Sequence, residues 1–268
     1  MFNYSNPSVR RWVKKSEAGT LVVNNVGATY GGVVGKSILL IGLTILSAVI
    51  TMLATWYGLF KFVETLEINQ TAVIAFIVGL IVAIVLMLVC VIAVSISPKT
   101  AKVFGPIYSM IQGAFLGFIA AFLNIILPFV TLAAMLGTAL VFVVCVLMYK
   151  VIGVRIRNNF LRVMAISLIC YVLIELIVLP IMLFTDIGEM ATVMIWVQAI
   201  TSFLCIIFAS VTIIYDLQNI DYVVQSGADK SYEWPVAFSL ITSLIYLYMQ
   251  ILQLLIRILV LFASSKKK

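Results

Sequence analysis

Long apolar runs separated by short polar segments are the dominant pattern of this chain. The runs lie at 38–60, 71–97, 106–126, 129–149, 163–185, 192–215 and 236–262. Apolar runs of at least ~18 residues are typical of helices that cross a bilayer, because each backbone polar group in hydrocarbon must be hydrogen-bonded within its own segment. The pattern therefore predicts an all-α, polytopic membrane protein with about seven transmembrane helices.

The polar segments divide the chain into three regions. Residues 1–37 form a polar N-terminal segment, 38–262 a single transmembrane bundle, and 263–268 a basic tail. The third and fourth runs are the hardest to separate, because no charged residue occurs near their junction. Asn124 and Pro128 indicate a tight turn there.

The composition agrees with a membrane protein. Of the 268 residues, 64% are hydrophobic and 10% are charged, which is too few charges for a surface that faces water on all sides. The formal net charge of +7 does not indicate a nucleic acid partner. The basic residues lie in short segments between apolar runs, where they set the orientation in the membrane.

Several kinds of chemistry are excluded by the residues present. The chain has no histidine, so His-based catalytic triads and His-ligated metals are ruled out. The cysteines stand singly inside apolar runs, at Cys90, Cys145, Cys170 and Cys205, which argues against a disulfide framework or a CxxC metal clip. No G-x-S-x-G turn or H-E-x-x-H helix occurs. The sequence therefore predicts neither an enzyme nor a bound cofactor.

The distribution of basic residues predicts a cytoplasmic N-terminus. Of the 17 Lys and Arg residues, this orientation places twelve on the inner side and five on the outer side, in line with their enrichment in cytoplasmic segments. Four of the five exceptions are Arg257 and the tail residues Lys266, Lys267 and Lys268. Two alternatives stay open for the last run. It either crosses fully and leaves basic residues on the outer side, against the usual cytoplasmic enrichment, or it is a re-entrant helix.

Two carboxylates fall inside or beside predicted spanning helices. Glu175 lies near the middle of 163–185, and Asp216 follows the end of 192–215. Ionisable residues in a bilayer cost ~2.5–3.5 kcal/mol on insertion scales and usually face the bundle interior or a water-filled path. Either acid can exchange protons near neutral pH and gate a path by its charge. The alternatives are a neutral acid that joins helices, for Glu175, and a residue among lipid headgroups, for Asp216.

Further acids follow Asp216 on the side that the charge distribution assigns to the cytoplasm. They are Asp221, Asp229 and Glu233. Oxygen ligands of this kind suit Ca²⁺, so the segment is a candidate calcium site at a pore mouth, with Asp216 as a candidate metal ligand. The spacing does not match an EF-hand loop. A solvated acidic loop without a metal is the alternative.

Polar and small residues within the apolar runs indicate how helices pack. Gly113 and Gly117 have the G-x-x-x-G spacing that lets a second helix approach closely. Gln250 and Gln253 in the last run need partners inside a bundle, whereas Arg257 can extend its side chain to the interface. A helix with this many polar residues is better placed at the centre of the bundle than against lipid.

Three further segments are distinctive. They are Tyr30-Gly-Gly-Val-Val-Gly-Lys36, Pro106-Ile-Tyr-Ser-Met-Ile-Gln-Gly-Ala-Phe-Leu-Gly117, and Gly227-Ala-Asp-Lys-Ser-Tyr-Glu-Trp234 followed by Tyr246-Leu-Tyr-Met-Gln250. Together they resemble bacterial Bax inhibitor-1 family proteins, and the likeness covers nearly the whole chain. The apolar stretches between these segments would match many membrane proteins.

The resemblance implies six helices around a central seventh, and a pH-sensitive Ca²⁺ leak controlled by a pair of acids on the last two helices. Asp216 matches the first acid of the pair, whereas its partner on the last helix falls on Gln250. The acid common in the third helix falls on Gln112, and a second acid two residues after the first is replaced by Gln218. Because amides cannot lose a proton, we hypothesise that Glu175 supplies the missing charge.

The sequence thus predicts a pH-sensing, passive pathway for Ca²⁺ or H⁺ in a bacterial plasma membrane, gated by Asp216 with Glu175 as a second acid. The alternative is a regulatory membrane protein without transport, because the resemblance also implies links to cell-death machinery and to a membrane-bound AAA protease. The three acid-to-amide differences favour this alternative. Besides the lipid bilayer, no partner follows from the residues themselves, and the oligomeric state is left open.

Overall fold

The structure is a computed structural model that describes residues 27–65, 70–156 and 190–265. Within these ranges every regular element is a helix. The helices are α1 (Tyr30–Thr65), α2 (Gln70–Ile96), α3 (Ala101–Ile126), α4 (Val130–Leu147), α5 (Met190–Gln225) and α6 (Glu233–Ser265). Short 3₁₀ turns at Pro98–Thr100 and Lys230–Tyr232 precede α3 and α6, and a π-helical turn at Met148–Ile152 extends α4.

Five helical stretches of the described chain are long and apolar enough to cross a membrane. They are Tyr30–Gly58, Pro98–Ile126, Val130–Ile152, Ile195–Gln225 and Lys230–Phe262, and a shorter apolar stretch, Ile81–Ile96, belongs to α2. The predicted all-α class is therefore confirmed for the described residues. The predicted helix at 163–185 lies outside them, and so does its candidate acid Glu175.

The first helix begins at Tyr30 rather than at the predicted position 38. Its start is set by Thr29, whose Oγ1 accepts a hydrogen bond from the N–H of Gly32 at 3.0 Å. A hydroxyl that accepts from an N–H of the first turn is an N-cap, and it stabilises a helix start where apolar periodicity gives no signal. Lys36, which we assigned to the polar N-terminal segment, therefore lies inside α1.

Helix α5 continues to Gln225, beyond the predicted end at 215. The polar residues after Tyr215 suggested an exit from the membrane. In the structure, however, Asn219 and Val223 are buried, so this stretch packs inside the protein as a helix. Asp216 consequently lies within α5 and not at its end.

A tight turn joins α3 to α4, as Pro128 indicated. Helix α3 ends at Ile126 and α4 begins at Val130. Phe129 has a φ of 69°, in the left-handed region that non-glycine residues seldom adopt. Pro128 has no N–H with which to continue α3, so this helix ends before it.

The described residues form two compact units. The N-terminal unit comprises 27–65, 70–129 and 219–241, and the C-terminal unit comprises 130–156, 190–218 and 242–265. Helices α5 and α6 each contribute one part to each unit.

In the N-terminal unit, α1 packs closely against α3. A stripe of small, buried residues recurs every fourth position of α3, at Ala101, Gly105, Ser109, Gly113, Gly117 and Ala121. A Cβ atom added to Gly113 would overlap the backbone of Thr44, and one added to Gly117 would overlap that of Ala48. The Oγ of Ser47 also donates to the carbonyl of Met110 at 2.6 Å. Because later residues of α1 meet later residues of α3, the two helices run in the same direction.

In the C-terminal unit, α5 and α6 run in opposite directions. Asp216 contacts Ser243, the rings of Phe208 and Tyr246 pack edge to face with centroids 6.3 Å apart, and Ser202 contacts Arg257. The same unit holds α4 through two further contacts: Ile251 fills the space beside Gly137, and the thiol of Cys145 lies 3.7 Å from the carbonyl oxygen of Ser210.

Helix α6 is one unbroken helix with little exposed surface. No residue between 231 and 258 is exposed. Its 33 residues extend for about 50 Å at 1.5 Å per residue, more than the ~30 Å of a bilayer core. By length and composition, this helix can therefore cross a membrane.

Candidate functional site

Asp216 is buried in α5 and held by the neighbouring helix α6. It is 2% exposed, and its Oδ2 accepts a hydrogen bond of 2.5 Å from the Oγ of Ser243. The expected alternative, a residue among lipid headgroups and water, does not fit this burial. The site is instead a carboxylate inside an apolar helix pair, beside a hydroxyl that can both donate and accept.

Gln250 and Gln218, two other predicted pathway residues, belong to the same unit as Asp216. Gln250, the expected partner position, lies seven residues beyond Ser243 on α6, which is about 10 Å along the helix axis. It is 6% exposed, and within the described chain its Oε1 has no hydrogen-bond partner. Gln218 is half-buried on α5, and Gln112 is buried on α3, in the N-terminal unit.

Glu233, predicted within an acidic loop, is the most enclosed carboxylate of the described residues. It is 0% exposed and begins α6. The ammonium of Lys36 forms an ion pair with its Oε2, while its Oε1 accepts from the N–H of Thr29 at 2.9 Å and from the Oγ1 of Thr29 at 3.3 Å. The Lys36 ammonium also lies 5.4 Å from the ring centroid of Trp234. We call these four residues the Glu233 clasp.

The clasp completes the N-cap of α1 from a distant part of the sequence. In a capping box, a glutamate three residues after the cap accepts from the N–H of the cap residue. That position of α1 is Gly32, which has no side chain, and Glu233 takes the role instead. A Cβ atom on Gly32 would overlap the carboxylate of Glu233. The glycine thus makes room for the clasp.

The other two acids that the sequence placed in this loop are Asp229 and Asp221. Asp229 caps the 3₁₀ turn before α6 by accepting from the N–H of Ser231 at 2.8 Å, and this hydrogen bond holds the pKa of the Asp229 carboxyl below its ordinary value. Asp221 is half-buried on α5. Among the described residues, no group of three or more His, Cys, Asp or Glu side chains is placed to hold a metal ion.

The guanidinium of Arg257 contacts α5. One of its guanidinium nitrogens donates to the carbonyl oxygen of Gln198 at 2.5 Å and to the Oγ of Ser202, both on α5. Ser202 is 0% exposed. The charged end of Arg257 is therefore held against α5 by polar groups.

Sequence reasoning missed the clasp and the contacts of Arg257 with α5. The spacing of Gln250, Gln253 and Arg257, at three and four residues, was a visible signal that they share one helix face. No local signal linked Glu233 to Lys36, because 197 residues separate them.

Comparisons with known proteins identify the family of this chain. The sequence profile of the family described as Bax inhibitor 1 like matches residues 5–259. Searches of curated proteins and of solved structures find no significant match. The profile covers Asp216, Arg257 and the whole Glu233 clasp. With its long apolar helices, the protein is an integral membrane protein, and the chain belongs to the Bax inhibitor 1 like family.

Proposed function

We propose that this protein is a passive, pH-sensitive cation pathway for Ca²⁺, in which Asp216 is the gate. One observation carries the proposal: a carboxylate 2% exposed inside a long apolar helix, bonded to Ser243 of α6. Ionisable groups in spanning helices are expensive and typically mark ion or proton paths.

The contact between Asp216 and Ser243 accommodates both charge states of the acid. An ionised Asp216 accepts a hydrogen bond from the Ser243 hydroxyl, and a protonated Asp216 can donate one to the same oxygen. Protonation therefore changes the charge between α5 and α6 without removing their contact. In the proposed mechanism the ionised form attracts a cation and the protonated form does not.

The amides at Gln112, Gln218 and Gln250 provide oxygen atoms but no titratable charge. In this proposal they line the path, and Glu175 supplies a second acid. Ca²⁺ prefers oxygen ligands, so amide and carboxylate oxygens are chemically suitable for a cation in transit. Ca²⁺ is here the transported ion, with H⁺ as the regulator.

The test is Ca²⁺ entry into sealed liposomes that contain the purified protein, measured from acid to alkaline pH. We expect Asp216→Asn to change the pH dependence of entry. Asp221→Asn, a half-buried acid on the same helix, is the matched control and should keep the wild-type profile. An unchanged profile for Asp216→Asn would remove Asp216 from the mechanism, and sealed wild-type liposomes would reject the pathway itself.

A regulatory function without transport is the second candidate. It is favoured by the same three amides, since they stand where the resemblance implies acids and cannot titrate. A regulatory protein of this kind would bind a membrane-bound AAA protease or cell-death machinery. Crosslinking in native membranes followed by purification tests this candidate: a stable partner, together with liposomes that stay sealed, would support regulation over transport.

We further propose that the protein lies in the bacterial plasma membrane with its N-terminus in the cytoplasm. Helices that cross the membrane one after another alternate in direction. This is supported by α1 and α3, which run in the same direction with α2 between them, and by α5 and α6, which run in opposite directions. Seven crossings place the C-terminus outside. A reporter enzyme active only in the periplasm, fused after Lys268, should be active, and an inactive but folded fusion would contradict this orientation.

A further inference from the structure

A line of polar side chains follows one face of α6 in the C-terminal unit. These residues recur every three or four positions, at Ser243, Tyr246, Gln250, Gln253 and Arg257. Such spacing places side chains on the same side of a helix. At both ends of the line the contact is with α5: Ser243 bonds Asp216, and Arg257 bonds Ser202. We call this polar strip between α5 and α6 the seam.

The two ends of the seam match in register. Ser243 and Arg257 are 14 residues apart on α6, and Asp216 and Ser202 are equally far apart on α5. The seam is therefore about 21 Å long, two thirds of a bilayer core, with a carboxylate at one end and a guanidinium at the other.

Small residues of α5 stand opposite the middle of the seam. The antiparallel register places Gln250 level with Cys205 and Ala209, both of which are buried. The Oε1 of Gln250 accepts no hydrogen bond from the described residues. Buried amide oxygens nearly always have a partner, so this acceptor is suited to a water molecule or a cation. The amide of Gln250 thus provides a buried acceptor between the two ends of the seam.

Arg257 bridges α6 to two successive turns of α5. The same guanidinium nitrogen donates to the Gln198 carbonyl and to the Ser202 hydroxyl, four residues apart. A guanidinium stays protonated at every physiological pH, so its hydrogen bonds are not released by a change of pH. The two ends of the seam therefore differ: the Asp216 end can change its charge, and the Arg257 end is held by hydrogen bonds that must be exchanged.

We propose that Arg257 is a clamp that closes the seam at the end opposite Asp216, so that an ion or water in the seam leaves only when the guanidinium releases α5. The inference rests on the proposed pathway and adds a second, pH-independent gate to it. Arg257 acts as a positioning residue, because it holds two helices together.

The first test measures access to the seam without measuring transport. Cys205 lies one turn from Ser202 on the buried face of α5 and is a native reporter. In a variant whose Cys90, Cys145 and Cys170 are replaced by alanine, a small water-soluble methanethiosulfonate should label Cys205 slowly. Adding Arg257→Gln should raise the labelling rate about tenfold, the factor expected for losing one hydrogen bond from a charged donor.

Two further variants separate the clamp from general damage. Lys150→Gln removes an exposed positive charge of the same unit outside the seam and should leave labelling unchanged. Arg257→Lys keeps the charge but loses the planar fork, so it should give a smaller rise than Arg257→Gln. If Arg257→Gln does not fold, a rise in Arg257→Lys alone still supports the clamp, and no rise in the folded variant overturns it.

The second test is Ca²⁺ and chloride entry into liposomes for the same variants. Opening the clamp should raise Ca²⁺ entry about tenfold and chloride entry little, whereas a damaged bundle would leak both ions. If the wild type leaks in an Asp216-dependent way but Arg257→Gln changes neither labelling nor entry, the clamp is wrong and the pathway stands. If labelling rises while every variant, including Asp216→Asn, stays sealed to Ca²⁺, the pathway is wrong and the seam closure stands.

Discussion

Glu233 and Asp216 are the two buried carboxylates of the described chain, and their partners differ in kind. Glu233 is held by the ammonium of Lys36 and by two donors of Thr29. Asp216 is held by the hydroxyl of Ser243. The first set of partners consists entirely of donors and includes a positive charge, so it stabilises an ionised acid. The hydroxyl of Ser243 differs from these donors, because it can either donate or accept.

This difference in partners suits Glu233 to a structural role and Asp216 to a change of protonation state. Protonating Glu233 would leave the charge of Lys36, whose side chain is only 15% exposed, without its counterion, at a cost of about 3 kcal/mol. Protonating Asp216 leaves its hydrogen bond to Ser243 possible in the reverse direction. Full burial of a carboxylate is therefore not by itself a sign of proton-linked function. The partners of the carboxylate determine whether it can change its protonation state at low cost.

The largest expected effect is on the clasp. Glu233→Gln leaves the Lys36 ammonium, whose side chain is 15% exposed, without its counterion. We expect it to lower the free energy of unfolding by about 3 kcal/mol, the lower end for a buried ion pair, because Lys36 is only partly buried. Thermal unfolding in detergent, at matched protein and detergent concentration, measures the loss. Removing both charges, in Lys36→Met combined with Glu233→Leu, should restore much of it, because well-packed apolar pairs often replace buried ion pairs at little cost. A double variant as unstable as the single one would contradict this account.

Glycine substitutions in α1 test whether the clasp requires a small residue at Gly32. Gly32→Ala places a Cβ against the Glu233 carboxylate, and overpacking of this kind costs about 1–3 kcal/mol. Gly35→Ala on the same helix meets no atom within 4 Å, so it should stabilise the protein by up to about 1 kcal/mol through helix propensity. Melting temperatures of the two variants should therefore move in opposite directions. Equal shifts would mean that Gly32 is not kept small by the clasp.

Asp216→Asn tests the other half of the comparison. Asparagine has nearly the same shape and can still accept from Ser243, so we expect less than about 1 kcal/mol of change in unfolding free energy. The main change should be in the pH dependence of ion entry. A loss as large as that of Glu233→Gln would show that Asp216 has a structural role comparable to that of the clasp.

The smallest expected effect concerns Asp229, an acid outside the spanning helices. Its folded-state pKa is lowered, chiefly by the N–H of Ser231, with Lys99 as a nearby positive charge. It therefore adds stability above the ordinary pKa of a carboxyl, and this contribution is lost as the pH falls through the lowered value. We expect Asp229→Asn to cost a few tenths of a kcal/mol at neutral pH and nothing at strongly acid pH. Melting temperatures that stay parallel at every pH would contradict this.

The helices that could be read from the sequence are those whose apolar run ends at a clear local signal. The turn at Pro128 is one example, because proline lacks the N–H that a continuing helix would use. The early start of α1 and the late end of α5 were missed for a common reason. Lys36 and Asp216 look like interfacial residues in the sequence, yet each lies within a helix and has a polar partner that is distant in the chain.

Part of the candidate site was also within reach of the sequence. Asp216 was identified as a carboxylate beside a spanning run, and the glycine spacing in α3 marked a face that another helix approaches. The role of Glu233 was not, since a solvated loop and a buried clasp have the same local sequence. Its partners Thr29 and Lys36 belong to the other end of the chain.

The sequence by itself determined that this protein consists of membrane-spanning helices. Backbone polar groups in hydrocarbon must be hydrogen-bonded within their own segment, and each apolar run is long enough to form a helix that does so. The tertiary structure alone decided which charged residues are paired, and with what. Pairing depends on distances between segments far apart in the chain, so it separates Glu233, bonded to a cation, from Asp216, bonded to a hydroxyl.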